Sequence, residues 1–375
     1  MTRGITMSTN KELIGRDEVN DLDAILAISN KDVDAVVHEV RSNYDTIFTW
    51  DYDKGQRPKL NRLYEKAKNS MWNGETDLPW ETEIDVESLA ALQMQSFGFQ
   101  QLELGGTVFE KWGEKEFLQL GIESQAWALS QFMHGEQGAL ICTARIIENV
   151  PWIDAKYYAA TQAMDEARHV EVFAKYLDKL ENHYPVNAHL GMLLDDIIED
   201  DRWDITYLGM QIMVEGLALA AFGFMHQMTT EPLLKQLLRY VMSDEARHVA
   251  FGVLSLQEVY ENMSAGELRI RQEFAYEAAV RMRDRFLQQE VWDRMGVDPK
   301  EAMALSQQSP YRAEFQKMLF TKIVPNCKKL GLLDAGDAWL RHKFEELGVI
   351  QFENWADTGE EYEMFALADG EVQSA

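Results

Sequence analysis

A six-residue motif occurs twice in this 375-residue chain and constrains the fold more than any other feature. The sequence Asp-Glu-Ala-Arg-His-Val spans residues 165–170 and returns unchanged at residues 244–249, 79 positions later. Six identical residues, four of them ionisable, are not expected to recur by chance in a chain of this length. Solenoid repeats are shorter and more numerous, so the pattern indicates a duplicated helix pair.

Each copy of the motif contains Glu-x-x-His, and each is preceded by a further glutamate. Three residues of helix separate two side chains by about 60° and about 4.5 Å along the axis, so a carboxylate and an imidazole can bind one metal ion together. Glu136 and Glu215 lie 30 residues before Glu166 and Glu245, in apolar surroundings. Burying a carboxylate on the apolar face of a helix is costly unless the carboxylate is paired or bound to a metal ion. Four helices are therefore expected to present one inward carboxylate each.

The rest of the chain also reads as helix, because breakers are few and no segment alternates long enough to form a sheet. Pro151 and Pro232 stand where helices begin, and Ser264 with Glu267 forms a capping box. A further helix is expected to open at Asp85. The other helices are predicted at residues 31–48, 59–72, 114–149, 151–181, 191–198, 203–228, 232–263, 265–295, 299–306 and 311–330.

These segments predict an all-α fold with one large domain over residues 31–350. Its metal-binding bundle would span about residues 112–260, with additional helices on both sides. Residues 1–30 are expected to form a polar N-terminal arm with one short helix. Residues 351–375 are expected to form a solvated acidic tail, since the last 23 residues hold seven acidic side chains and no basic one.

The composition limits the partners that the protein can have. A formal net charge of −27 argues against nucleic acid or an anionic membrane, which need basic patches. The longest apolar run, residues 216–225, is about half of the roughly 20 residues that span a bilayer. Two cysteines cannot form a disulfide framework, and the first residues lack an apolar export signal. We therefore expect a cytoplasmic protein.

Two single glutamates with two Glu-x-x-His motifs resemble the ligand set of ferritin-like di-iron carboxylate bundles. The resemblance covers about residues 112–260, and the fuller Asp-Glu-x-Arg-His form is similar to the oxygen-activating branch. It implies a ferritin-like four-helix bundle with two iron ions, or a manganese–iron pair, and identifies these catalytic ligands: Glu136, Glu166, His169, Glu215, Glu245 and His248. It further implies that Asp165 and Asp244 orient the ligand histidines, across the pseudo-twofold axis, while Arg168 and Arg247 complete a salt-bridge network.

No single subfamily of that branch matches at every marker position. The radical tyrosine of ribonucleotide reductase small subunits is Phe173 here, and the threonine of hydrocarbon monooxygenases is Leu219. The two positions that form a valine–tyrosine crosslink in manganese/iron ligand-binding oxidases are Ala139 and Met210 here. The extra ligand histidine of arylamine N-oxygenases falls on Val241.

Small and apolar residues around the ligands are expected to form a substrate pocket. Glycines at positions 135, 138 and 216 lie beside the ligand glutamates, where they serve either to open space or to let helices pack closely. The predicted pocket residues are Phe132, Ala139, Leu140, Phe173, Gln211, Ala218, Leu219 and Phe251.

The resemblance implies an O2-dependent di-iron oxidase or monooxygenase that hydroxylates, N-oxygenates or desaturates a small organic substrate. Electrons would come from a donor such as a ferredoxin or reductase. Homodimers are common in this superfamily, so the resemblance also implies a homodimer. Two alternatives stay open: an iron-oxidising, ferritin-type protein without an organic substrate, and a radical-generating subunit similar to that of ribonucleotide reductase.

Overall fold

The computed structural model describes residues 8–29, 52–90 and 103–359, and these contain helices and no strand. Residues 86–90 are helical, as expected after Asp85, while the helix predicted at 31–48 lies outside the described residues. The other α-helices are α1 (Asn10–Ile14), α2 (Leu22–Ala27), α3 (Pro58–Asn69), α4 (Glu114–Asn149), α5 (Ile153–Leu180), α6 (Ala188–Glu199), α7 (Trp203–Met228), α8 (Pro232–Tyr260), α9 (Ala265–Arg285), α10 (Gln289–Arg294), α11 (Pro299–Ser306), α12 (Pro310–Met318), α13 (Ile323–Lys329) and α14 (Trp339–Glu346).

Two helical hairpins form the ferritin-like bundle at the centre of the protein. Helix α4 packs along α5, and α7 packs along α8, with only short connections between the partners of each pair. Helix α3 lies across α5 and α8, while α6 and α9 cover the side formed by α4 and α7. The additional helices expected around the bundle are therefore present, and they enclose its interior.

Local signals in the sequence set the ends of these helices. Val150, which precedes Pro151, is extended with ψ 136° and stops α4. The Glu231 carboxylate accepts the backbone N–H groups of Leu233 and Leu234 at the start of α8. Ser264 and Glu267 form the predicted capping box of α9. The helix predicted at 265–295 is wrong in one respect: it breaks at residues 286–288, where Gln288 has a φ of 58°.

Helix α7 contains a π-helical segment, Leu208–Val214, that the sequence pattern does not predict. The N–H of Glu215 donates to the carbonyl of Met210, five residues back, so the helix is locally wider. Gly252 on α8 lets this segment approach closely, because a Cβ atom there would lie 2.6 Å from Cβ of Gln211. The segment ends at a proposed ligand, Glu215, and therefore sets the position of that side chain.

Both ends of the chain depart from the arm and tail expected from the sequence. Residues 8–29 form two short helices rather than one, and α1 packs against α9. Arg16 forms a buried ion pair with Asp284. At the other end, Thr358 is buried and exchanges hydrogen bonds with Asn326. Residues 353–359 are thus anchored to the bundle, and the rest of the predicted tail lies outside the described residues.

Among the described helices, α7 is the one long and apolar enough to cross a membrane. Its apolar window is 72% buried inside the protein, and it carries Glu215 towards the bundle interior. This burial is typical of the core helix of a folded bundle.

Gly252→Ala is expected to destabilise the protein, because the added methyl group would collide with Gln211 in the wider part of α7. We expect the free energy of unfolding to fall by about 1–3 kcal/mol. The matched control is Gly223→Ala on α7, whose Cβ would meet Met242 at an ordinary 3.7 Å. The control should be neutral or stabilising, by up to about 1 kcal/mol. Thermal denaturation of both variants measures the difference. Equal unfolding midpoints would contradict the close approach of α7 to Gly252.

Candidate metal centre

The six predicted ligands lie together in the middle of the bundle, one or two from each of the four central helices. All six are buried. One group that can hold a metal ion consists of Glu136, Glu166, His169 and Glu245, and a second consists of Glu166, Glu215 and His248. Because Glu166 belongs to both groups, the cluster is able to bind a pair of metal ions rather than two separate ones.

The Nδ1 atoms of both histidines face this shared space. Nδ1 of His169 lies 3.3 Å from Glu136 and 3.2 Å from Glu245. Nδ1 of His248 lies 3.1 Å from Glu166 and 3.4 Å from Glu245. The same Glu245 oxygen is close to both imidazoles, so Glu166 and Glu245 are the two carboxylates placed to bridge a metal pair.

The opposite nitrogen of each ring contacts an aspartate from the other copy of the motif. Nε2 of His169 lies 3.1 Å from Asp244, and Nε2 of His248 lies 3.3 Å from Asp165. An Nε2–H that donates to a carboxylate leaves Nδ1 as the atom with a free lone pair. The contacts across the pseudo-twofold axis are therefore present as predicted, and they orient both histidines towards the cluster.

Two arginines join these aspartates into one network. Arg168 contacts Asp165 and lies 3.0 Å from Asp244. Arg247 contacts Asp244 and lies 3.5 Å from Asp165. Each guanidinium thus spans both copies of the motif, which matches the salt-bridge network implied by the resemblance.

The donor atoms of the cluster fit a pair of cations. Both carboxylate oxygens of Glu245, one oxygen each of Glu166 and Glu215, and Nδ1 of His248 are buried without a hydrogen-bond partner among the described residues. Such atoms are costly unless something else binds them. Counting both aspartates, six buried carboxylates face two guanidinium groups, so four negative charges remain and two divalent ions would balance them. Oxygen-rich ligation with one imidazole per ion suits iron or manganese.

The pKa values of the cluster show the same excess of negative charge. Burial raises the pKa of Glu136, and the Glu245 carboxylate raises it further. Burial, followed by the charges of Glu166 and Glu245, raises the pKa of Glu215 in the same way. Burial opposes ionisation of Glu166 as well, but His248 and His169 hold the pKa of that carboxyl well below its usual range. The carboxylates of the cluster therefore need cations beside them to stay ionised together.

Trp72 is a site residue that the sequence pattern did not identify. Its Nε1–H donates to Asp244 at 2.8 Å, and that aspartate contacts His169. The indole ring stacks on Tyr240, with centroids 4.8 Å apart, and Arg168 lies 4.6 Å from its centre. A hydrogen-bonded chain thus runs from an aromatic ring outside the bundle to a proposed metal ligand.

Gln162 is a second residue that sequence reasoning missed. Its amide donates to Glu166 and to Glu215, at 2.9 Å in both cases, and so links the two hairpins. Its position one turn before Glu166 is the available signal. The equivalent position before Glu245 is Val241, which is buried and supplies no ligand atom. The two halves of the centre are therefore chemically different despite the identical motifs.

A cavity of about 290 Å³ lies against one side of the cluster. Three predicted pocket residues line it, Phe132, Ala139 and Ala218, together with Glu136, Glu215 and Glu245. Further lining residues that were not predicted as pocket residues are Gln131, Gly135, Val214 and Arg285. No atom of a described residue lies within 4 Å of a Cβ built on Gly135, so this glycine opens space.

The other five predicted pocket residues, Leu140, Phe173, Gln211, Leu219 and Phe251, do not line this cavity. Phe173 stacks on Phe222 with centroids 5.7 Å apart, and Phe251 packs on Tyr158 at 4.4 Å. Helical spacing placed Phe173 and Phe251 near the ligands, but close packing with neighbouring aromatic rings fills their surroundings.

A larger cavity of about 780 Å³ lies farther out and shares Phe132 with the inner one. Residues from α4, α7, α9–α10 and α12 line it, including Gln125, Phe224, Gln288, Arg312 and Phe315. Phe132 therefore stands between an outer space and the cavity beside the cluster.

The model of one protein family, described as P-aminobenzoate N-oxygenase AurF, matches residues 53–331. No curated protein matches the chain. Among solved structures, a valine-to-isoleucine variant of an R2-like ligand-binding oxidase with an anaerobically reconstituted Mn/Fe cofactor is 18% identical, covering 72% of this chain and 92% of its own, at a TM-score of 0.43. A tyrosine-to-phenylalanine variant of an R2-like ligand-binding oxidase with an aerobically reconstituted Mn/Fe cofactor is 17% identical. The match covers 76% of this chain and 100% of that chain, at a TM-score of 0.47.

Asp165→Asn and Asp244→Asn are expected to weaken metal binding by about 10- to 100-fold, because each removes a carboxylate that orients a ligand histidine. Fe(II) titration under anaerobic conditions measures the affinity, and we expect the unsubstituted chain to saturate near two ions. Asp204→Asn is the matched control, since Asp204 is buried and pairs with Arg271 at 2.8 Å away from the cluster. Equal affinities for all three variants would refute the orienting role.

Proposed function

We propose that this protein, which belongs to the P-aminobenzoate N-oxygenase AurF family, transfers oxygen to the nitrogen of a small aromatic amine. Its broader activity follows from the family and the centre: it is a di-iron oxygenase or oxidase that acts on an organic substrate. N-oxygenation is the more specific part of the proposal, and the family description supports it. The position that matches the extra ligand histidine of arylamine N-oxygenases is the buried Val241, so the proposed ligand set has six residues.

The observation that carries the proposal is the inner cavity beside the carboxylate cluster. Three of its lining residues, Glu136, Glu215 and Glu245, are proposed metal ligands, and Phe132, Ala139 and Ala218 provide apolar walls. A substrate in this space would lie directly against the metal pair. When bound and reduced, two iron ions supply the electrons with which O2 is activated.

The chain's own residues bind, orient and protect the reacting groups. Gln162 holds Glu166 and Glu215 in fixed positions by donating to both. Phe132 lines the cavity, and behind it Phe173 and Phe222 complete an aromatic cluster with centroids 4.6–6.3 Å apart. These rings keep water away from the cluster, which strengthens electrostatic interactions inside it.

The two alternatives expected from the sequence receive less support from these features. An iron-storing protein has no need of an apolar cavity next to its ligands, whereas this chain has one. A radical-generating subunit similar to that of ribonucleotide reductase would need a tyrosine near the cluster at position 173. That position holds Phe173, whose ring packs against Phe132 and Phe222.

We also propose that the protein is a cytoplasmic homodimer that receives electrons from a ferredoxin or reductase. The net charge of −27 would favour a donor with a basic surface. Light scattering after size-exclusion chromatography tests the dimer, and a monomer at micromolar concentration would refute it. A reductase requirement is tested by comparing a chemical reductant with a ferredoxin system.

The proposed activity is tested by adding p-aminobenzoate, O2 and a reductant to the Fe(II)-loaded protein. We expect products heavier by one or more oxygen atoms at the amine, detected by mass spectrometry, with label from 18O2. Glu245→Ala should abolish them, because it removes a carboxylate that would hold the metal pair. Oxygen consumption without any oxygenated aromatic amine, across a panel of ring-substituted anilines, would refute N-oxygenation and leave an oxidase.

Trp72→Phe is expected to slow reduction of the metal pair and to weaken metal binding less than Asp244→Asn does. The substitution keeps an aromatic ring but removes the N–H that donates to Asp244. Stopped-flow absorbance with a chemical reductant measures the rate. Trp80→Phe is the control, because the Trp80 N–H donates to a backbone carbonyl, that of Gly74. Equal reduction rates in both variants would exclude a role for the Trp72 contact.

A further inference from the structure

The inner and outer cavities follow one another between the same two helices. On α4, Ala128 lines the outer cavity and Ala139 the inner one, while Phe132 lines both. On α7, Ala221 lines the outer cavity and Ala218 the inner one. Four of these five side chains are single methyl groups, so the ring of Phe132 is the bulky group at the junction of the two spaces.

The end of α9 forms a third wall of both cavities. Arg285 lines the inner cavity, and Gln288, three residues later, lines the outer one. Gln288 has a φ of 58° and a ψ of 44°, a left-handed conformation that costs a residue with a Cβ atom about 1–2 kcal/mol. Glycine adopts this conformation without that cost. We therefore expect the side chain of Gln288 to have a role of its own.

The carbonyl oxygen of the Gln288 side chain has no hydrogen-bond partner among the described residues. Only 7% of the residue is exposed, and a buried oxygen without a donor costs about 1–3 kcal/mol. The cavity beside it has a volume of about 780 Å³, and Phe224, Met225 and Phe315 are among its apolar walls. An unpartnered polar atom in an apolar space of this size is typical of a ligand site. The missing partner is therefore a hydrogen-bond donor on an apolar molecule.

The charge in the outer cavity restricts which donor can enter. Arg312 lines this cavity and donates a hydrogen bond to the backbone carbonyl of Phe286. Burial lowers the pKa of Arg312 to about 10, so the guanidinium still carries its charge near neutral pH. That charge repels a protonated alkylamine. An aromatic amine is neutral at this pH, because its nitrogen lone pair is delocalised into the ring, and it keeps N–H groups to donate.

We propose that the outer cavity is a second binding site for the aromatic amine, in which the side-chain carbonyl of Gln288 accepts an N–H of the substrate. The aromatic ring of the amine packs against the apolar walls, and the ring of Phe132 separates this site from the inner cavity beside the metal centre. This inference rests on the proposed function, because the amine is the substrate of that reaction.

The test measures binding of 4-fluoroaniline and 4-fluorotoluene to the full-length Fe(II)-loaded protein without O2, by 19F NMR. The two probes are nearly equal in size, but only 4-fluoroaniline has an N–H to donate. Gln288→Met keeps the length of the side chain and removes the acceptor. It should weaken 4-fluoroaniline binding about 3- to 10-fold, the usual effect of one neutral hydrogen bond, and leave 4-fluorotoluene within about twofold.

Two matched substitutions on α7 locate the probe. Ala218→Leu adds bulk to the inner cavity, so the remaining site is the outer one, and Gln288→Met in that background should still weaken 4-fluoroaniline binding. Ala221→Leu adds bulk to the outer cavity instead, and Gln288→Met in that background should change the affinity by less than about twofold. The opposite pattern would place the amine in the inner cavity and overturn the proposal.

Gln272→Met is the control for the loss of a buried amide. Gln272 donates to the carbonyls of Leu332 and Ala335, and none of these three residues lines either cavity. This variant should bind both probes as wild type does. Thermal denaturation separates binding from stability, because Gln288→Met removes an acceptor that lacks a donor and should not lower the midpoint. A lowered midpoint with equal loss of both probes would assign Gln288 to structure and refute its role in binding.

Two further outcomes would also contradict the proposal. An unchanged 4-fluoroaniline affinity in Gln288→Met would remove the proposed acceptor, and 4-fluorobenzoate that displaces 4-fluoroaniline at a tenfold lower concentration would assign the outer cavity to acids. Failure of the proposed function gives a different result, since it appears as absent amine oxygenation when O2 is supplied. The binding measurements are made without O2 and do not depend on that reaction.

Discussion

The whole architecture depends on the excess of negative charge at the centre of the bundle. Six carboxylates are buried there with two arginines, and several of their oxygens have no partner among the described residues. A protein core tolerates that arrangement only when cations complete it. The four central helices, the aspartate–histidine contacts and the surrounding aromatic rings all serve to hold these groups together in a space from which water is excluded. The same interactions therefore stabilise the fold and position the groups needed for catalysis.

The chemistry of the centre is symmetric near the metals and asymmetric around them. The duplicated motifs provide equivalent ligands, but Gln162 corresponds to Val241, and Phe132 and Phe173 correspond to Gln211 and Gly252. On one side, Phe132 lines the cavity and packs against Phe173. On the other side, the absence of a side chain at position 252 lets the π-helical segment pack against α8. The cavity accordingly lies on one side of the cluster.

The clustering of the six proposed ligands and most helix boundaries were predictable from the sequence, because both depend on local spacing. Helix α4 has the predicted bounds, and Ser264 caps α9 as expected. The residues that were missed act over long sequence distances: Trp72 contacts an aspartate 172 positions away. Arg285 is 40 positions beyond Glu245, in a helix that carries no ligand, and no motif marks it. Phe173 and Phe251 do not line the inner cavity for a related reason: helical phase gives the direction of a side chain but not the volume that neighbouring rings occupy.

The exchange of aspartates between the two hairpins has a consequence for the origin of the protein. Asp165 orients His248, and Asp244 orients His169, so neither hairpin completes its own half of the centre. In an isologous dimer, residue i of one subunit contacts residue j of the other and the reverse. The reciprocal contacts seen here have that form within one chain. An ancestor with a single hairpin would have needed a second copy of itself to orient its histidines, and fusion of the two genes would have freed each half to diverge.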